Sequence, residues 1–127
     1  MTTATLSPDT LVFAATGVGS AGASCTSVTG SVLCVLVQGP VTVPGVAFGD
    51  GVRCVGPPFK RLRAEMSTGF VYTSSFSISA ASAALGDPLS PGDVRHYFLW
   101  YRDPCPSFAC PDPQTFNSSN SWTITWT

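Results

Sequence analysis

Alternation with a period of two, broken at short intervals by turn residues, dominates the order of apolar and polar positions along this chain. The last segment is the cleanest case. Trp122, Ile124 and Trp126 share one side and Ser121, Thr123 and Thr125 the other, as a half-buried strand requires. Upstream, Arg95, Tyr97, Leu99 and Tyr101 alternate with His96, Phe98, Trp100 and Arg102. In a two-layer sandwich only one of these sides is the core. The other side then forms an aromatic patch (His96, Phe98, Trp100, Arg102) that meets a partner or lies under another segment of the chain.

Ser31-Val-Leu-Cys-Val-Leu-Val37 is apolar on both sides, the pattern of a buried central strand. Over Phe59–Met66 the alternation predicts Leu62, Ala64 and Met66 inward, with Arg61, Arg63 and Glu65 in water. Phe70–Tyr72 and Phe76–Ala80 read as a further hairpin or meander. The alanines between Ser77 and Leu85 allow a single helical turn, which Gly86-Asp-Pro88 then breaks.

These elements predict an all-β fold, an antiparallel β-sandwich of immunoglobulin-like type with about seven or eight short strands. The 12 Gly and 11 Pro supply its turns. Residues 31–127 would form the sandwich domain. Residues 1–16 would form an N-terminal strand region, with Thr10-Leu-Val-Phe-Ala-Ala15 following a Ser7-Pro8-Asp9 turn. Residues 17–30, rich in Gly, Ser and Thr, read as a flexible linker. Counted from Thr16, that stretch would span ~50 Å when extended. The first strand is therefore expected to be detachable, pairing with its own domain or a neighbour's through Leu6, Leu11, Val12 and Phe13.

Composition narrows the setting. Only 10% of the 127 residues are charged, against about 25% in ordinary soluble domains. With 6 basic and 7 acidic residues the net charge is −1, which offers no footprint for nucleic acid. No apolar run is long enough to span a membrane. The 5 cysteines suggest an oxidising compartment. Asn117-Ser118-Ser119 is a glycosylation sequon, so Asn117 is the candidate acceptor in an extracellular or cell-surface protein. Met1-Thr-Thr-Ala-Thr-Leu6 lacks the basic start and apolar stretch of a signal peptide; the export signal expected of such a protein is not in it.

Catalytic chemistry finds little support. His96 is the 1 histidine and lies mid-strand, without the neighbours a Ser or Cys triad requires. There is no Gly-x-Ser-x-Gly elbow and no Walker-type glycine loop. Asp50, Asp87, Asp93 and Asp103 all sit in turn signatures, where a carboxylate commonly forms an Asx-turn. Asp50, Asp87 and Asp93 would bind calcium only if their loops met, and no Asp-x-Asp-x-Asp spacing supports that. The cysteines lack the paired spacing of zinc sites. The expectation is a non-enzymatic protein with no metal and no cofactor.

Phe48-Gly-Asp-Gly-Val-Arg-Cys54, Arg61-Leu62, Gly92 to Pro104 and Phe116-Asn-Ser-Ser-Asn120 with Trp126 together resemble an uncharacterised β-domain of large secreted planctomycete and myxobacterial proteins. The resemblance covers residues 46–126 and, more loosely, Thr10–Ala15 and Val32–Gly39. It implies an extracellular setting and no assigned reaction. Phe98, where the family usually has Gln, and the extra Cys25, Cys34 and Cys105 depart from the pattern. The resemblance favours a Cys54–Cys110 bridge; Cys105–Cys110 is the local alternative, and Cys25–Cys34 would tether the linker to the central strand.

Two functional readings follow. In the first, the protein is a self-assembling extracellular filament subunit whose N-terminal strand completes the next copy head-to-tail. In the second, it is a secreted module that binds carbohydrate or a surface through the aromatic strand, with Arg102 and Asp103 bonding sugar hydroxyls.

Overall fold

The computed structural model describes residues 2–19, 30–103 and 115–127. In chain order these form β1 (Thr2–Ala4), β2 (Ala14–Thr16), β3 (Leu33–Gly39), β4 (Val41–Phe48), β5 (Gly51–Gly56), β6 (Lys60–Met66), β7 (Val71–Thr73), α1 (Ile78–Ala84), β8 (Val94–Arg102), β9 (Phe116–Ser118) and β10 (Trp122–Trp126). The fold is all-β and sandwich-like. One sheet runs β1-β10-β8-β3-β6 with β9 added to β8, and the pairs β2–β7 and β4–β5 form separate ribbons. Every pairing is antiparallel except β1 on β10. In place of the two comparable sheets of an immunoglobulin sandwich, the β2–β7 ribbon and α1 cover one face of the main sheet and the β4–β5 ribbon covers part of the other.

β3 is an interior strand between β8 and β6, and both its faces are apolar for a structural reason. On one face Cys34 and Leu36 join Tyr97, Leu99, Ile124 and Trp126 beneath Phe13, Tyr72 and Ile78. On the other, Val37 and Phe98 pack against Val55, with Val35, Phe48, Phe59 and Trp100 around them. The expected inward face of β10 is borne out: Ile124 and Trp126 are buried, and the Trp126 indole donates to the Tyr97 hydroxyl at 3.1 Å.

Three local expectations are corrected. In β6 only Leu62 is buried; Ala64 and Met66 are exposed. The cause is a bulge: the β3–β6 register passes from Leu36↔Arg63 to Val37↔Arg61, and the extra residue breaks the simple alternation. Beyond it, Ala64 and Met66 lie opposite Val35 and Leu33. Phe76–Ala80 is not a strand but leads into α1, which spans 7 residues and not a single turn. Ser77 caps α1 by accepting from Ala80 N at 3.1 Å, and Gly86, at φ 78, closes it with a bond to Ala83 O.

The N-terminal segment is docked on its own domain. β1 pairs with β10, Leu6 N donates to Thr127 O at 3.0 Å, and β2 pairs with β7. Strand structure within the expected Thr10–Ala15 run is confined to its end, at β2. Leu6 and Leu11 pack partly buried on the core and Phe13 is buried in it, whereas Val12 points to solvent. Both described ends of the expected 17–30 linker contact the domain. Val18 is buried and donates to Phe70 O at 3.2 Å, and Phe70 N donates to Gly30 O at 3.1 Å. Residues 20–29 lie outside the described residues.

Candidate functional site

The groove lies on the second face of the main sheet, and strand register builds it. Arg61, Val37 and Phe98 form one row across β6, β3 and β8; Ala64, Val35 and Trp100 form the next. The β4–β5 hairpin covers the first row through Val55 and Phe48 and leaves the second open. Pro40 joins β3 directly to β4, and Gly39 lets the sheet meet the hairpin at Gly56 O, where a Cβ would overlap that oxygen. The resulting cleft, about 960 Å³, is lined by Leu33, Val35, Val37 and Leu85, by Phe48, Phe59, Phe98 and Trp100, and by Lys60 and Arg61. Its volume falls in the range of small-molecule sites.

Its rings are held edge to face. Phe48 and Phe59 meet Phe98 with centroids 5.8 and 6.0 Å apart, and Phe116 stacks against Trp100 at 6.0 Å. Arginines cover several ring faces. The Arg53 guanidinium lies 5.1 Å from the Phe48 ring and 4.8 Å from the Phe59 ring, and Arg102 sits 5.6 Å over Trp100. Lys60 Nζ donates to Leu85 O at 2.9 Å, tying the groove wall to the end of α1.

The expected aromatic patch is therefore divided. Phe98 and Trp100 line the groove and Arg102 caps Trp100. His96 stands apart, its Nδ1 2.9 Å from Thr123 Oγ1, and burial lowers its pKa below 6.5. Tyr97, Leu99 and Tyr101 occupy the core side, as the alternation required. Alternation alone missed Phe48, Phe59 and Arg61 as groove residues; the doubly apolar β3 was the one sequence signal that a second layer had to cover part of that face.

The remaining candidates scatter. Asn117 is half-buried in β9, and its Oδ1 accepts from Ser118 N at 2.8 Å. The sequon thus lies against the β4–β5 turn, where Asp50 N donates to Phe116 O at 3.1 Å. Asp87 is bound by Arg95 and Gln38, and Asp93 by Ser90 N and, at 3.8 Å, Arg95. Among the described residues no group of three His, Cys, Asp or Glu side chains gathers. Among the described residues Cys34 and Cys54 are free thiols, and the partners expected for them, Cys25 and Cys110, lie outside the described residues. Cys34 is enclosed in the core, where its thiol donates to Val32 O at 3.5 Å. Cys25, Cys105 and Cys110 lie outside the described residues, as does the Cys105–Cys110 alternative.

Comparison with protein-family models, with curated proteins and with solved structures finds no match to this chain.

Proposed function

We propose that this protein is a non-enzymatic, extracellular or cell-surface binding module whose recognition surface is the groove on the second face of its main sheet. The observation that carries this reading is the open apolar cleft beside Trp100, left by a hairpin that covers only part of the sheet. An apolar concavity next to a well-packed core suits recognition, since packing alone favours closing it. The low charge and the sequon support the extracellular setting. The test is a screen of glycans and apolar ligands against the wild type, Trp100→Ala in the groove, and Val46→Thr on the exposed hairpin surface. Binding that Trp100→Ala removes and Val46→Thr keeps supports the module. A ligand indifferent to Trp100→Ala, or no ligand of either class, refutes it.

A second reading, the filament subunit, draws on a separate observation. Val18 N donates to Phe70 O and Phe70 N donates to Gly30 O, so the described chain meets at one residue from either side of the segment of residues 20–29. Its ten residues could reach ~34 Å when extended, enough for segment 2–19 to make the same contacts in a neighbour, as in domain swapping. Electron microscopy of the native protein tests this. Fibres that disappear on deletion of residues 1–16 support exchange, and monodisperse particles at high concentration exclude it.

A further inference from the structure

The groove's charge points to the class of its ligand. Among the described residues its lining contains two charged side chains, Lys60 and Arg61, both cationic, and no carboxylate. Arg53 and Arg102 lie on the rings of Phe48, Phe59 and Trp100, so four of the 6 basic residues surround the cleft of a chain whose net charge is −1. The other two, Arg63 and Arg95, are placed elsewhere: Arg63 over Phe76 and Arg95 on Asp87.

Among the described residues Arg53 and Arg61 have no ion pair with a carboxylate; Arg95 forms the ion pairs seen there. Arg53 Nε is buried without a hydrogen-bond partner. A half-buried guanidinium beside two phenyl rings, with its Nε out of water and no carboxylate paired to it among the described residues, is an incomplete electrostatic arrangement. Arg61 is exposed and adjoins Val37 in the register. It stands at the head of an apolar track that continues through Val35 to Leu33.

We propose that the groove binds an amphipathic carboxylate, a long aliphatic chain bearing one acid head group. The chain lies along Val37, Val35 and Leu33 beside Trp100, and the head group meets Arg61 and Lys60. This rests on the binding-module reading and adds the ligand's chemistry to it. A neutral sugar fits the lining less well. Among the described residues no Asp, Glu, Asn or Gln lines the cleft to bond hydroxyls, Arg53 lies over Phe48 and Phe59, and Arg102 lies over Trp100.

The test titrates the folded protein with decanoate and with decanol, following tryptophan fluorescence and two-dimensional NMR shifts. Decanoate is expected to shift Val35, Val37 and Trp100 signals and to bind at least about tenfold more tightly than decanol. Added salt should weaken the acid alone. Arg61→Gln should remove most of that preference while leaving decanol binding unchanged, and Arg61→Lys should restore part of it. Trp100→Ala should weaken both ligands.

Equal binding of acid and alcohol, or an unchanged preference in Arg61→Gln, overturns the ligand assignment and leaves the groove reading standing. So does a glycan that binds through Trp100 when neither decanoate nor decanol binds. Binding of either probe that shifts signals only outside the groove overturns both.

Discussion

Arg95 holds Asp87 by both carboxylate oxygens, with Nε 3.0 Å from Oδ2 and Nη2 2.8 Å from Oδ1. The same Oδ2 accepts from the fully buried Gln38 at 2.7 Å, and Gln38 also donates to Ser82 Oγ at 2.8 Å. Ser82 Oγ in turn donates to the Asp87 carbonyl at 2.6 Å. One carboxylate therefore fastens the end of α1 to β3 and β8. Asp87→Asn keeps the shape but loses the charge, so Arg95 and Gln38 are left poorly matched. We expect it to cost about 2 kcal/mol, read as a lower urea midpoint at unchanged slope. An unchanged midpoint would show that solvent replaces the pair at no cost.

Stability should fall in two stages on acidification. His96 has its pKa lowered below 6.5 by burial, so the unfolded chain takes up that proton first. The His96 contribution is complete above the unfolded value and fades as pH drops through the lower folded one. The carboxylates follow. Asp87 is held below 3.8 by hydrogen bonds and charge from Arg95, with burial opposing. For Asp9 burial opposes ionisation most strongly, yet bonds from Ser79, Ser77 and Leu11 outweigh it and lower its pKa. Both contributions are full above the unfolded value of about 3.9 and are lost as pH falls through the folded values. Urea midpoints measured from about pH 8 to pH 2 should show both stages, with His96→Gln removing the first and Asp9→Asn shrinking the second. A wild-type curve flat down to the carboxylate range would contradict the His96 assignment.

Gly49 and Gly69 separate two costs that one residue type conceals. Both adopt left-handed backbone, at φ 61 and φ 57. A Cβ on Gly69 would meet nothing within 4 Å, whereas one on Gly49 would overlap the Phe116 carbonyl oxygen that accepts from Asp50 N. Gly69→Ala should cost only the backbone penalty, about 1–2 kcal/mol. Gly49→Ala should cost clearly more, because β9 must move. Equal thermal shifts for the two would show that β9 yields freely.

These glycines mark how much of the fold the chain's pattern made legible. Strict alternation gave the faces of β8 and β10, and the doubly apolar β3 implied a layer on each side. The Gly49-Asp-Gly51 and Phe116-Asn117 motifs stood out by sequence, but their physical reason is a tertiary contact: β9 lies on the turn between β4 and β5 and leaves no room for side chains there. The β6 bulge escaped because the added residue has no compositional mark. In α1, Ser77 and Gly86 carry cap chemistry, yet the helix depends on Asp9 from a distant segment, whose carboxylate accepts from Ser79 N at 2.7 Å. Of the aromatics that line the candidate site Phe98 and Trp100 were legible; Phe48 reaches it only through folding of the hairpin and Phe59 from the connection between β5 and β6.

Phe13 and Val12 should respond very unequally to truncation. The Phe13 ring lies 4.8 Å from Tyr97 and 5.1 Å from Trp122 and is 3% exposed, whereas Val12 is 57% exposed. Phe13→Ala should cost about 3–5 kcal/mol and Val12→Ala no more than ~0.5 kcal/mol. If denaturant unfolding shows comparable small losses for both, the N-terminal segment is not docked on the core in solution.

Cys34 should be chemically silent in the native protein despite carrying a free thiol. Burial pushes its pKa up to about 11; the Ser67 bonds act against that rise and the nearby Glu65 charge adds to it. The reactive species is the thiolate, and near pH 8 this site supplies almost none and admits no reagent. Alkylation with iodoacetamide, read by peptide mass spectrometry, should therefore leave Cys34 unmodified while the partly exposed Cys54 reacts. Denaturant should release Cys34 only as the whole domain opens, because it is fully buried on an interior strand held between β8 and β6. Labelling of Cys34 at the native Cys54 rate would mean that β3 opens locally. The groove, whose floor is the other face of the same strand, would then not be the rigid surface that recognition requires.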